Sequence, residues 1–331
     1  MPRTAESMRA RAREEAVAKG GNTVVRACAV VNGDMLSRVA LAFPRPLSPG
    51  DLVAIVAPSS PFPRDELLRG LAWLRCRYRL RLVAGAFSRD GYLAGSDERR
   101  SKELAAALAD DEVRAIVAAR GGYGALRVLE RVTWEGFARC PKWIVGFSDV
   151  TALHAMAWAS GVASVHAPNA TGLGRDCTAR ERAVWLSCLE RPRDGRAWTG
   201  LRVVRQGRAS GPIVGGNLAL VHALAAAGRL RVPDGAVLAL EDVTEAPYRI
   251  DRMLTSLRLG GYLARVSAIV LGGFDRCAPG SDGRTVEEVL EDRLGDLGIP
   301  VVAGAPFGHG ARNEAFVLGK DVRLDGSELR I

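Results

Sequence analysis

The sequence predicts an α/β protein: an N-terminal doubly wound α/β domain, followed by a second, smaller α+β domain. Three observations carry that prediction. Short apolar runs rich in valine and isoleucine alternate with amphipathic runs from Leu52 onwards. Glycine-rich turns follow some of those runs, as at Gly121, Gly122 and Gly124. Beyond about residue 210 the pattern changes to several short strands mixed with helices.

"LVAIVAP" from Leu52 is too short for a helix and uniformly apolar, so it reads as a buried strand. "PRDELLRGLAWLRCR" is an amphipathic helix with Asp65 and Glu66 near its electropositive start. "LRLVAGA" is a second strand. "SDERRSKELAAALADD" is a helix with Ser96 as its N-cap. "VRAIVAAR" is a third strand that ends at "GGYG", and "ALRVLERV" is the helix after it. "KWIVGFS" is a fourth strand, "DVTALHAMAWA" its helix, and "GVASVHAPN" adds a further strand. These elements define a domain over residues 45–170. Residues 171–210 are less regular and read as a linker, and residues 211–331 form the C-terminal domain. Residues 1–44 read as an extension, expected to be poorly ordered because its first half is polar and Arg-rich. Its second half is broken by Arg26, Asn32, Asp34 and Arg38, unlike the core of a secretory signal.

Composition excludes several function classes. The net charge is +9, but the charges are dispersed, with no basic run and no nucleic-acid-binding signature. A small acidic substrate is a better use for that charge. No stretch is long and apolar enough to span a bilayer. Six cysteines are scattered without a C-x-x-C pair. That pattern fits unpaired thiols in a reducing, cytoplasmic compartment.

Four features could carry chemistry. Ser148 lies on a sharp strand-to-helix turn, "VGFSDV", at the carboxyl end of a strand where ligands bind in such sheets. It half-matches the nucleophile elbow G-x-S-x-G, with Val150 in place of the last glycine; on the motif alone a helix cap is the stronger reading. "ARGGYG" is either a tight turn or a loop whose backbone approaches a ligand closely. Glu241 and Asp242 end a strand, as a surface turn or as the partner of a histidine. Of the histidines, His154 and His222 sit on apolar helices and read as packed, and His166 reads as a pocket wall. His309, between Gly308 and Gly310, has no packing role to explain it. No H-E-x-x-H, ligand cluster or P-loop is present, so neither a metal nor a cofactor is expected.

Taken together, "VAIVAPSSP", "YLAGSDERRSKELAAALADDEVRAIVAARGGYGALRVLE", "IVGFSDVTALH", "GPIVGGNLALV", "LALEDVTEAPYRIDRML" and "GAPFGHG" resemble, in order and spacing, the LD-carboxypeptidases. These are the serine peptidases of the muramoyltetrapeptide carboxypeptidase family. The resemblance runs from about Leu47 to Ile331. It implies a catalytic triad of Ser148, Glu241 and His309, and an oxyanion hole from the backbone N–H groups of Asp149 and Gly122. It implies a peptide substrate, a murein tetrapeptide losing its terminal D-alanine, and a homodimer. A microcin C immunity-type hydrolase of peptide–nucleotide carboxamides and a non-catalytic binding module are the alternatives. Gly121 and Tyr123 of the loop are substrate-binding candidates. Arg120, Arg249, Arg252 and Arg312 are candidates for clamping the substrate carboxylate, because a guanidinium can grip it with two hydrogen bonds.

Overall fold

The computed structural model describes residues 41–175 and 177–331. They belong to one compact unit, Ser37–Ile331. The strands are β1 (Leu52–Val56), β2 (Arg79–Leu82), β3 (Val113–Ala118), β4 (Trp143–Gly146), β5 (Ser164–His166), β6 (Ala197–Trp198), β7 (Arg202–Arg205) and β8 (Arg208–Asn217). β9 (Val237–Val243), β10 (Ala268–Asp275), β11 (Val301–Ala303), β12 (Phe316–Leu318), β13 (Asp321–Asp325) and β14 (Glu328–Arg330) follow. The helices are α1 (Arg64–Arg75), α2 (Asp97–Ala109), α3 (Ala125–Leu129), α4 (Thr151–Ala159), α5 (Ala170–Arg175), α6 (Ala179–Glu190), α7 (Leu218–Ala226), α8 (Pro247–Leu259) and α9 (Val286–Leu294).

Two sheets organise the described residues. The first has the order β2-β1-β3-β4-β5-β12. Its first five strands are parallel, and β12 closes the edge antiparallel to β5. The order reverses between β1 and β3, and such a switch point opens a crevice at the carboxyl ends of the strands. The GGYG loop leaves β3 there. The second sheet runs β6-β14-β13-β8-β9-β10-β11-β7. β8 to β11 are parallel within it, and β7 and β13 flank them antiparallel. The sequence thus yields an α/β architecture with two sheets, as its alternation requires.

Buried aliphatic side chains fill both faces of each sheet. Leu67, Leu71 and Leu74 on α1, spaced for one helical face, pack on Val53, Ile55 and Val117 of the first sheet. Each such leucine stabilises the fold by ~1.5–3 kcal/mol relative to an exposed one.

Two expectations need correction. Part of the stretch read as a linker is helix packed into the core. α6 starts at a capping box: the Thr178 hydroxyl accepts from Glu181 N, and Glu181 Oε2 accepts from Thr178 N at 2.8 Å. Trp185 of α6 is fully buried, with its ring 5.7 Å from that of Trp73 on α1. The supposed extension also ends too late. Residues 1–40 lie outside the described residues, but Ala42 bridges to Val162, donating to Gly161 O at 2.7 Å and accepting from Ala163 N at 2.9 Å.

Candidate active site

The turn after β4 bears on the two readings of Ser148. The helix that follows has Val150, not Ser148, at its N-cap, and the φ of Ser148 is +65°. A non-glycine residue in the left-handed region costs on the order of 1 kcal/mol or more, and such strain concentrates at functional sites. The neighbouring residues hold the turn. Asp149 is buried, and its carboxylate accepts from Ala125 N, at the start of α3, at 2.7 Å. Burial pushes its pKa up to about 6 against that hydrogen bond. Thr151 Oγ1 accepts from Asn217 N at 3.0 Å, which ties the turn to the end of β8 in the other sheet.

His154 belongs to this scaffold. Its Nε2 donates to Gly146 O at 2.9 Å, so in the neutral ring Nδ1 accepts from the Ser164 hydroxyl, also at 2.9 Å. Burial pushes its pKa down to about 4, and the ring stays neutral. It is a packed residue, as its apolar helix suggests. His166 is fully buried behind Phe147, among Phe307 and Phe316, and is no open pocket wall.

The GGYG loop lies directly against Ser148. A Cβ on Gly121 would stand 2.8 Å from Ser148 Cβ and 3.0 Å from its Oγ, so only glycine lets the two chains approach this closely. Ser60, after β1, braces the loop: its hydroxyl accepts from Tyr123 N at 3.0 Å, and its N–H donates to Gly121 O at 3.3 Å. Arg100 of α2, fully buried, donates to Gly124 O at 2.9 Å and to Pro58 O, and pairs with Asp97. It therefore fastens both loops of the switch point. Among the described residues the N–H of Gly122 has no hydrogen-bond partner. The Tyr123 ring is exposed and stands edge-on to that of Tyr92, 5.4 Å away. Ser60, Arg100 and Tyr92 escaped the sequence reading. Only the S-S after the first strand and the arginine within the S-D-E-R-R helix start hinted at any of them.

The second half of the chain supplies Glu241 and His309. Glu241 lies near the carboxyl end of β9 and is fully buried. Its Oε2 accepts from His309 Nδ1 at 2.7 Å, a short, charge-assisted contact. Burial alone would push the imidazole pKa down. The Glu241 hydrogen bond and charge, with the charges of Asp242 and Asp275, outweigh that and hold it above its ordinary value. The His309 ring lies 4.8 Å from the ring of Phe147, the residue before Ser148. The structure thus joins Glu241 to His309 and brings His309 to the neighbour of Ser148. Among the described residues, no hydrogen bond joins His309 to Ser148 itself.

The four arginines are all exposed, and each already has a partner. Arg120 donates to Pro61 O, and Arg312 pairs with the buried Glu314 at 2.8 Å. Arg249 donates to the Tyr248 hydroxyl and lies 3.5 Å from Glu245. Arg252 lies over the Tyr248 ring, 5.5 Å from its centre. Among the described residues no group of three or more His, Cys, Asp or Glu side chains is placed to hold a metal ion. No described helix is long and apolar enough to cross a membrane.

This arrangement matches known proteins over most of the chain. Residues 53–167 match the LD-carboxypeptidase N-terminal domain, and residues 210–324 match the LD-carboxypeptidase C-terminal domain. The murein tetrapeptide carboxypeptidase of Pseudomonas aeruginosa is 33% identical over 84% of this chain and 94% of its own. The crystal structure of muramoyltetrapeptide carboxypeptidase from Oxalobacter formigenes superposes with a TM-score of 0.76 at 27% identity, covering 84% of this chain and 97% of that one. The microcin C7 self-immunity protein MccF, in complex with aspartyl sulfamoyl adenosine, shares the fold at 21% identity, with a TM-score of 0.76 over 88% of this chain and 98% of that one. The chain belongs to the LD-carboxypeptidase family and is a serine-type carboxypeptidase.

Proposed function

We propose that this enzyme removes the terminal D-alanine from murein tetrapeptides, with Ser148 as nucleophile, His309 as general base and Glu241 as its orienting partner. One observation carries the reading: His309, 2.7 Å from the buried Glu241, stands beside a serine turn held at φ +65°. Serine is a weak nucleophile at neutral pH and needs a base, and the base needs an orienter. Nδ1 of His309 donates to Glu241, which leaves Nε2 to take the Ser148 proton. The Ser148 oxygen attacks the scissile carbonyl. The N–H groups of Gly122 and Asp149 receive the oxyanion, and the Gly122 N–H, without a hydrogen-bond partner among the described residues, supports that role. His309 then protonates the leaving amine, D-alanine departs, and water releases the acyl group from Ser148.

The L–D preference follows from the same geometry, because one configuration aligns the carbonyl with both the nucleophile and the donors. The substrate's terminal carboxylate is gripped by at least one of Arg120, Arg249, Arg252 and Arg312. Among the described residues the cysteines at 76, 140, 177, 188 and 277 are free, which suits a cytoplasmic enzyme. Its homodimeric state, implied by the family resemblance, is read by light scattering.

The test is a mass-spectrometric assay on four compounds: a muramyl L–D tetrapeptide, its C-terminal amide, a D–D pentapeptide and a peptide–nucleotide carboxamide. Release of D-alanine from the tetrapeptide, with at least a tenfold drop for the amide and little turnover of the pentapeptide, supports the reading. Losing one charged hydrogen bond of ~1.5–3 kcal/mol gives that drop. Turnover of the nucleotide compound alone would transfer the enzyme to the immunity-type activity.

A further inference from the structure

His309 stands between two glycines, and each makes room for a carboxylate. A Cβ on Gly308 would lie 3.2 Å from Glu241 Oε2, and a Cβ on Gly310 would lie 2.4 Å from Asp275 Oδ1. The first carboxylate is the hydrogen-bonded partner of His309. The second comes from the end of β10 and also covers Gly273, where a Cβ would lie 2.5 Å from its Oδ2. That Oδ2 is buried and has no hydrogen-bond donor among the described residues. The backbone fixes the site from below: Thr244 N, just past β9, donates to Asp275 O at 2.9 Å, and Gly273 N donates to Phe307 O at 2.8 Å. A buried carboxylate oxygen without a donor is costly. It becomes useful where a positive charge forms beside it.

We propose that Asp275 is a positioning residue for this enzyme's reaction: its carboxylate seats the His309 loop against Gly310 and supports the imidazolium formed when His309 takes the Ser148 proton. The proposal rests on the triad reading above. The charged and titratable groups that face His309 are Glu241 and Asp242 of β9, Asp275 of β10 and His166 of β5. His166 is buried and held neutral, its pKa well below the ordinary value chiefly through burial. The carboxylates therefore dominate the field at the ring. Glu241 acts through a hydrogen bond to Nδ1, whereas Asp275 acts through space.

The sign of the effect follows. Removing the Asp275 charge lowers the His309 pKa, so the neutral base persists to lower pH. It also weakens support for the imidazolium in the transition state, so the maximal rate falls. A role in packing alone would lower the rate without moving the titration. The experiment takes the full chain and its Asp275→Asn and Asp275→Ser variants. NMR follows the His309 imidazole, assigned by its loss in His309→Ala, and kcat/KM on an L–D tetrapeptide is profiled against pH. The expected result is a midpoint lower by about 1 pH unit, with the acid limb of kcat/KM moving the same way. The plateau should fall roughly tenfold, the rate equivalent of one pKa unit. An unchanged midpoint in a folded variant overturns the proposal. If neither variant folds, Asp275 is a structural requirement and the proposal also falls. Failure of the wild-type enzyme to cleave the tetrapeptide would overturn the reaction assigned to the site, while the NMR midpoint would still decide the effect of Asp275.

Discussion

Alanine at position 121 should disable the enzyme while leaving it folded. Gly121 is buried, and its φ lies outside the left-handed region, so alanine can adopt the backbone. The new methyl would meet Ser148 Cβ at 2.8 Å, Ser148 Oγ at 3.0 Å and Phe147 O at 3.2 Å. Carbon atoms rest at ~3.5–4.0 Å, so the loop and the serine must separate by close to 1 Å. A displacement of ~1 Å at a reacting atom costs on the order of 10²-fold in rate. Overpacking by one methyl costs ~1–3 kcal/mol of stability, which a fold of this size withstands. The assay is kcat/KM for D-alanine release, with circular dichroism and thermal unfolding as the fold control. A folded Gly121→Ala protein with wild-type kcat/KM would refute the reasoning, because the contact would then not touch the reacting group.

Other substitutions probe the remaining parts of the site. Glu241→Gln keeps the shape of the orienting partner but removes its charge, and should lower kcat by ~10³–10⁴-fold. In the wild-type enzyme the acid limb of kcat/KM should lie above the ordinary imidazole value of ~6.5, since only neutral His309 accepts the proton and its pKa is raised. In the Gln variant the limb should move down, and an unmoved limb would remove Glu241 from the site. Tyr123→Ala should raise KM more than it lowers kcat, as loss of an exposed ring beside the nucleophile loop would do; an unchanged KM argues against substrate contact there. Starting the chain at Met35 should leave the melting temperature intact. Starting at Leu47 deletes the Ala42 pairing and should lower the melting temperature without lowering kcat, as a differential melting curve would show.

The parallel sheet was legible because its strands are short, apolar and separated by amphipathic helices; the segments from Leu52 to Pro58 and from Lys142 to Ser148 show this best. The ordered segment over 179–190 was missed, although Thr178 and Glu181 spell a capping box. Weak amphipathicity and the loop-like run after Glu190 masked it. β12 was illegible as a member of the first sheet: a three-residue strand returning from the other half of the chain leaves no local signal. Within the site, Ser148, Glu241 and His309 stand far apart in the chain, and residue chemistry alone left Ser148 closer to a cap than a nucleophile. The resemblance singled out all three. The structure adds the positive φ of Ser148 and the contact of Gly121 with its hydroxyl. Asp275 was invisible because its meaning depends on Gly310, 35 residues later in number and adjacent only in space.

In the proposed mechanism Ser148 attacks the scissile bond of an L–D peptide. The most direct test follows D-alanine release from a muramyl tetrapeptide by mass spectrometry, comparing the wild-type enzyme with Ser148→Ala at matched folded concentration. The wild type should release D-alanine steadily and the variant none above background, since the missing hydroxyl costs the fold little. Near-normal release by a folded Ser148→Ala protein would contradict the mechanism.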